Sequence, residues 1–225
     1  MKDFVQPIVK EYHDTGNISL LSIIPLNVHT ILDVGCGSGD NAKLLYEQGK
    51  KVDCVTISEE EFKTAKKYCS NIYIKNLEEG LPEEILNKKY DVVICSHVIE
   101  HIAYPKLLFD DIKKVLHPAT SNLIIALPNF LVYKNRIKIF FGNFTYEKSG
   151  VMDYTHLRWY TYNSGYELLN NFGFKVTSIV IDGNIPFASY LKFLPDSMKS
   201  LFKKLLFLLS PGLFGGQFIY TAIKE

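Results

Sequence analysis

From Thr30 onward, short apolar runs alternate with amphipathic stretches, the rhythm of strands joined by helical crossovers into a parallel sheet. Strands are predicted at 30–34, 51–57, 72–75, 91–96 and 122–127. The cores VVIC and LIIAL are apolar without alternation, which marks strands covered on both faces. Asp40 is placed to cap a helix running to Gln48, and Gly49 to end it in a left-handed turn. Further helices are predicted at 60–69 and 104–115, with Pro105 in the first turn of the latter and Pro118 just past its end.

Beyond Pro128 the pattern loosens. An apolar helix carrying Lys134, Arg136 and Lys138 is predicted at 130–141, followed by a loop at 142–153. Thr161 caps a helix ending near Phe172, Gly173 turns the chain into a strand at 175–181, and a last strand occupies 217–224. Residues 182–216 hold three prolines and an apolar helix at 196–209, and read as a flap over the working edge of the sheet. The expected architecture is α/β: a Rossmann-like, seven-stranded, mostly parallel sheet with an antiparallel last strand, helices on both faces and a helical lid insertion. One domain spans 1–225, with an N-terminal helical cap at 1–28 and substrate-side insertions at 128–160 and 183–216.

Composition narrows the function. With 47% hydrophobic and 22% charged residues there is material for a packed core, which sets disorder and coiled coil aside. Twenty-five Lys and Arg against 24 Asp and Glu give no strong field to draw nucleic acid or an anionic membrane, so a small molecule is the expected partner. Cysteines 36, 54, 69 and 95 show no close paired spacing, and reduced thiols are expected. The first residues mix charge with apolar positions, and no run of about 18 apolar residues follows, so a soluble, unexported, cytoplasmic protein is expected.

The sharpest motif is ILDVGCGSGD, residues 31–40, in which Gly35, Gly37 and Gly39 sit between a strand and a helix start. Glycines there let bare backbone turn tightly against a ligand. A carboxylate at Asp40 would repel the pyrophosphate of a dinucleotide, and the triphosphate loop's Gly-Lys-Ser or Gly-Lys-Thr ending is missing. A nucleoside without phosphates fits better.

With this loop, SHVIEHI at 96–102, LPNF at 127–130 and DYTHLRWYT at 153–161, the chain resembles the class I S-adenosylmethionine-dependent methyltransferases of the small-molecule type. The resemblance covers roughly 28–182 and the last strand, and implies S-adenosylmethionine as cofactor. It implies that Asp33, Gly35, Cys36, Gly37 and Gly39 hold the methionine end. Where such enzymes carry an acid for the ribose hydroxyls, Thr56 stands here. TISEEE at 56–61 is similar to the cyclopropane fatty acid synthase version, which nominates Glu61 beside Thr56. Asn76 and Leu77 would serve adenine, the amide oxygen of Asn76 accepting from its amino group. His97 is expected nearest the sulfonium. Ubiquinone-pathway O-methyltransferases resemble the same stretch with a Glu-x-x-Glu-His metal motif, which would make His97, Glu100 and His101 ligands here; the alternative is a structural pair, and no bound metal is expected.

For the acceptor, His156 is nominated as the general base, against a role in ordering its loop by bonding Asp153. His97 is placed beside it as catalytic. Arg158 could grip a carboxylate or phosphate through its planar fork, or form a surface ion pair. Asn129, Tyr154 and Tyr160 are nominated for the acceptor wall, with core packing as the alternative for the tyrosines, and Trp159 is expected to be packing. Tyr12 and His13 lie on a leading helix expected to fold across the cofactor, or with His13 exposed. His29 and His117 read as loop residues; Lys134, Arg136 and Lys138 as a solvated face or a contact to an anionic acceptor. The 196–209 helix is expected to serve as a lid or dimer face, not a membrane contact. Methylation is expected on oxygen or nitrogen of a small polar metabolite, anionic ones included, such as a sugar or surface-glycan precursor. The alternatives are a lipid or quinone methyltransferase, or a non-catalytic relative that binds the cofactor or a partner.

Overall fold

The computed structural model describes residues 15–117, 121–183 and 193–225. Seven strands form one sheet in the order β3-β2-β1-β4-β5-β7-β6. They are β1 (Thr30–Val34), β2 (Lys51–Thr56), β3 (Asn71–Ile74), β4 (Val92–Ser96), β5 (Asn122–Pro128), β6 (Phe174–Asp182) and β7 (Gln217–Lys224). The first five pair in parallel, and β7 runs antiparallel to both neighbours, with Gln217 opposite Pro128 and Asp182. The expected fold class is therefore the observed one. Alternating residues feed two cores. Leu32, Val34, Val93 and Cys95 face one layer and Ile31, Val92 and Ile94 the other, which is why the cores of these strands carry apolar residues at consecutive positions.

The helices are α1 (Ile18–Leu21), α2 (Asp40–Glu47), α3 (Glu59–Ala65), α4 (Glu83–Leu86), α5 (Lys106–Val115), α6 (Tyr133–Phe140), α7 (Tyr162–Asn171), α8 (Asp196–Leu209) and α9 (Pro211–Phe214). In α5, Leu108, Phe109, Ile112 and Val115 form the buried stripe while Lys113 and Lys114 sit in the last turn, where their charge suits the helix C-terminus. Thr161 caps α7 in a reciprocal box with Ser164.

Several boundaries differ from expectation for identifiable reasons. Gly39, at φ +86°, is the N-cap of α2, and Asp40 is its first helical residue, not its cap. β5 runs on through Pro128, which as the last residue of the strand removes little from the ladder. The helix foreseen at 60–69 stops at Ala65, where a turn from Tyr68 N–H to the Ala65 carbonyl (2.9 Å) bends the chain back. That bend brings Cys69 beside Cys54 of β2 with 6.1 Å between their Cα atoms, and the two are joined as a disulfide. The expectation of reduced thiols holds only for Cys36 and Cys95, both buried. Among the described residues no helix is long and apolar enough to cross a membrane.

Candidate functional site

Parallel strands deliver their C-terminal ends to one edge, and the chain turns that follow β1, β2 and β4 line a cavity of about 760 Å³ there. The glycine loop forms its floor. Gly35 and Cys36 N–H groups both donate to the Val55 carbonyl (2.9 Å each), and Gly39 N–H closes a turn on the Cys36 carbonyl (3.0 Å). Gly35, Gly37 and Gly39 all have φ between +54° and +86°. A β-carbon on Gly39 would lie 2.7 Å from Ala65 Cβ and 2.9 Å from its Cα, so α2 and α3 pack only because this side chain is missing. Gly39→Ala should therefore destabilise the fold by about 2–4 kcal/mol in urea unfolding, combining left-handed strain with overpacking. Gly49→Ala, at φ +76° with nothing within 4 Å, should cost only the strain, about 1 kcal/mol.

Asp33, the last residue but one of β1, is fully buried. On the neighbouring wall the Thr56 hydroxyl donates to the Glu61 carboxylate, and both side chains are buried and line the cavity. Ser58 holds this arrangement by capping α3 through the Glu61 N–H. Asn76 and Leu77 line the far end. The Asn76 amide oxygen already accepts from Glu78 N–H (3.1 Å), which leaves one lone pair for a ligand. Cys36 also lines the cavity; burial raises its thiol pKa, and it donates to the Gly37 carbonyl (3.4 Å).

At the end of β4, His97 takes φ +57°, the lone positive value at a non-glycine among the described residues. Its backbone N–H remains bonded to Ala126 O (3.1 Å) while its ring turns toward β7. The Gln217 amide donates to Asp182 Oδ2 (3.1 Å), so its oxygen faces His97 Nε2 at 3.0 Å and that nitrogen carries the hydrogen. Asn17 donates to the same Gln217 oxygen (2.9 Å). Burial alone would push the Asp182 carboxyl up, but bonds from Ser19 and Gln217 outweigh it and hold its pKa below the usual range.

Glu100 is fully buried, and neither oxygen makes a hydrogen bond among the described residues. His97 Nδ1 lies 3.3 Å and His156 Nε2 4.0 Å from its Oε1. His156 reaches this point because Leu157 and Arg158 N–H groups both bond the Glu100 carbonyl (2.9 and 3.0 Å), which pins the 153–158 loop over the turn after β4. His156 Nδ1 faces the Val151 carbonyl at 3.1 Å and must donate there, so Nε2 is the basic nitrogen. Burial lowers the His156 pKa, outweighing the opposing pull of Glu100. The alternative tie to Asp153 runs through the backbone, His156 N–H donating to the Asp153 carbonyl (3.1 Å), while the Asp153 carboxylate accepts from Thr155 N–H and hydroxyl (2.9 and 2.8 Å). Ligand atoms of Glu100, His101 and His156 all lie within 4.8 Å of one another, so the metal-like grouping in space takes His156 in place of the His97 that the motif supplied.

The nominated acceptor wall fares worse. Arg158 folds back, both Nε (2.9 Å) and Nη2 bonding the Ala103 carbonyl, so its fork is not presented to a ligand. Asn129 is buried with its amide donating to Gly212 and Gly215 carbonyls (2.9 and 2.7 Å), an anchor for the return from the 183–216 excursion. Tyr160 is packed in the core, where burial pushes its phenol up to about 12, and Tyr154 is partly exposed off the cavity. Trp159 is no core residue either: it is 38% exposed in a surface cluster with Phe130, Phe144 and Tyr146. Tyr12 and His13 lie outside the described residues. Residues that sequence reasoning missed are Gln217, Asp182 and Asn17. Nothing local marks them, since Gln217 meets His97 across 120 positions.

Comparison with known proteins bears on the family and the fold. Residues 7–179 match the family described as "Methyltransferase domain". A ubiquinone biosynthesis O-methyltransferase of Rickettsia akari (strain Hartford) is 37% identical over 99 residues, 43% of this chain and 39% of the relative. One from Rickettsia bellii (strain OSU 85-389) is 42% identical over 100 residues, 44% and 37% of the two chains. The matched part of the chain thus spans about two fifths of the length of these curated relatives. Among solved structures, a SAM-dependent methyltransferase from Archaeoglobus fulgidus superposes with TM-score 0.62 at 21% identity, covering 88% of this chain and 87% of the other. Magnesium protoporphyrin IX methyltransferase from Synechocystis PCC 6803, solved with bound SAH, gives TM-score 0.55 at 16% identity over 92% and 78% of the two chains. Motifs, strand order and the extent of the family match agree: the chain belongs to the class I S-adenosylmethionine-dependent methyltransferases.

Proposed function

We propose that the chain transfers the methyl group of S-adenosylmethionine to a hydroxyl oxygen of an uncharged small molecule of the lipid or quinone type. The observation that carries this is the single cavity running from the glycine loop and the Thr56–Glu61 wall to His97, Glu100 and His156. Its charge supports a cationic cofactor and argues against an anionic acceptor. Among the described residues Asp40, Glu61, Glu78, Glu100, Asp153 and Asp182 line it, against Lys75 as the sole Lys or Arg, and Lys75 pairs with Glu79 at 2.7 Å. A sulfonium and an α-ammonium suit that lining; a sugar phosphate does not. The O-methyltransferases among the relatives favour the same choice over a sugar acceptor.

In this reading the acceptor hydroxyl gives its proton to His156 Nε2 as its oxygen attacks the methyl carbon. The carbon–sulfur bond breaks with its electron pair going to sulfur, and a neutral thioether leaves. Positioning supplies most of the acceleration, since holding the reactants in line is worth about 7–11 kcal/mol, and the base adds about two to four powers of ten. Incubating purified protein and labelled methyl donor with phenols and catechols, some bearing prenyl tails, should put label on a hydroxyl oxygen. Calorimetry with S-adenosylhomocysteine decides the non-catalytic alternative: heat of binding without transfer to any such acceptor leaves a binding protein, and no heat removes both readings.

A further inference from the structure

Helix α8 is turned inside out. Lys199 and Lys203 lie on its sheltered side, and Lys203 Nζ donates to Asp182 Oδ1 (3.2 Å) at the cavity rim. Four of its five leucines point outward: Leu201, Leu205, Leu208 and Leu209 are between 48% and 80% exposed, and no residue of the helix is buried. An apolar stripe facing water is stable only if something else covers it. The neighbouring α6 also leaves Ile137 and Phe140 exposed, with Phe141 exposed just past its end, and Arg136 Nη2 ties it to the Gly212 carbonyl (3.2 Å) at the end of the α8–α9 arm. Both segments start and end at the cavity. Pro128 and Ser149–Val151 flank the first, Gly183 and Gly216 the second, and all of them are lining residues.

Charge selects what covers this face. Residues 130–150 and 193–214 carry seven Lys or Arg and two acids, whereas the rest of the chain has 18 basic and 22 acidic residues. A second copy would set one basic face against another. A soluble acidic partner would answer the charge but not the breadth of the apolar surface, which runs along two helices whose flanking residues line the cavity. From this we infer that α6 and α8 seat the enzyme on an anionic lipid bilayer, leucines and phenylalanines among the acyl chains, the exposed Lys134, Lys148 and Lys204 at the headgroups, and the cavity mouth turned toward the membrane. At 14 residues α8 is about 21 Å long, enough to lie in the interface and too short to span it. The inference deepens the proposed function and rests on it, because an acceptor with an apolar tail would then enter directly from the bilayer.

The test is co-sedimentation of the full chain with vesicles of phosphatidylcholine alone and with added phosphatidylglycerol, alongside calorimetry with S-adenosylhomocysteine on the same preparation. Sedimentation should rise at least about tenfold with the anionic lipid and fall in high salt. The variant Leu205→Glu/Leu208→Glu should lose about tenfold or more of vesicle binding, with its melting temperature and cofactor heat unchanged. Absent vesicle binding by a protein that binds the cofactor overturns the inference and leaves the function standing; absent cofactor heat removes the function instead. Equal vesicle binding by wild type and variant also overturns it, as does a concentration-dependent dimer that the variant abolishes.

Discussion

His156→Ala is expected to lower turnover by about 10²- to 10⁴-fold while cofactor affinity changes little. The reasons lie in three contacts. The Val151 carbonyl fixes the hydrogen on Nδ1, the backbone of 157 and 158 holds the ring over the turn after β4, and burial keeps the ring neutral. A neutral imidazole with Nε2 in the cavity is a base ready to act. Because burial lowers its pKa, the acid limb of kcat/KM should fall below the ordinary 6.5, and the limb should vanish in the variant. The same shift links to stability. The unfolded chain binds this proton at about 6.5 and the folded one only at lower pH, so the contribution is whole above 6.5 and is lost as pH falls toward the folded value. His156→Gln, which retains a polar ring substitute, separates loss of the base from loss of packing. An unchanged rate and pH limb remove His156 as base. Activity lost on chelation and restored by a divalent ion assigns Glu100, His101 and His156 to that ion, and the proton to another acceptor.

Glu61→Ala should weaken binding of S-adenosylhomocysteine by about ten- to a hundredfold, read by calorimetry. A carboxylate can accept from both ribose hydroxyls at once, and each hydrogen bond to a charged group is worth about 1.5–3 kcal/mol. Thr56 lies against the same carboxylate, so its hydroxyl steadies Glu61. Thr56→Val should give a smaller loss, and the double variant should lose less than the sum, because the two side chains act through one contact. Equal affinity in Glu61→Ala returns the ribose to another acid. Asp53 is poorly placed for that role: Lys88 (2.8 Å), Tyr90 (2.7 Å) and Asn71 (2.8 Å) already occupy its oxygens.

The parts of this molecule that could be read from its sequence are those whose causes are local. Strand cores, the capped start of α7 and the glycine turns follow from residues within a few positions of one another, and Thr56 and Glu61 meet because one turn of capped helix separates them. The acceptor side could not be read this way. Whether Arg158 meets a ligand or the Ala103 carbonyl depends on a contact 55 residues away, and Asn129 is drawn inward by carbonyls more than 80 positions on. The disulfide escaped for a similar reason: Cys54 and Cys69 become neighbours only through the bend after Ala65. The helices α6 and α8 show the limit of apolar patterning itself, since a stripe of leucines says that a face must be covered and not by what.

The most direct test of this account is a crystal structure of the protein with S-adenosylhomocysteine. The ribose hydroxyls should lie within hydrogen-bonding distance of the Glu61 carboxylate, the methionine end along Gly35–Gly39, and the sulfur should face the space between His97 and His156. A ligand seated elsewhere, or with its ribose turned away from Glu61, would contradict it.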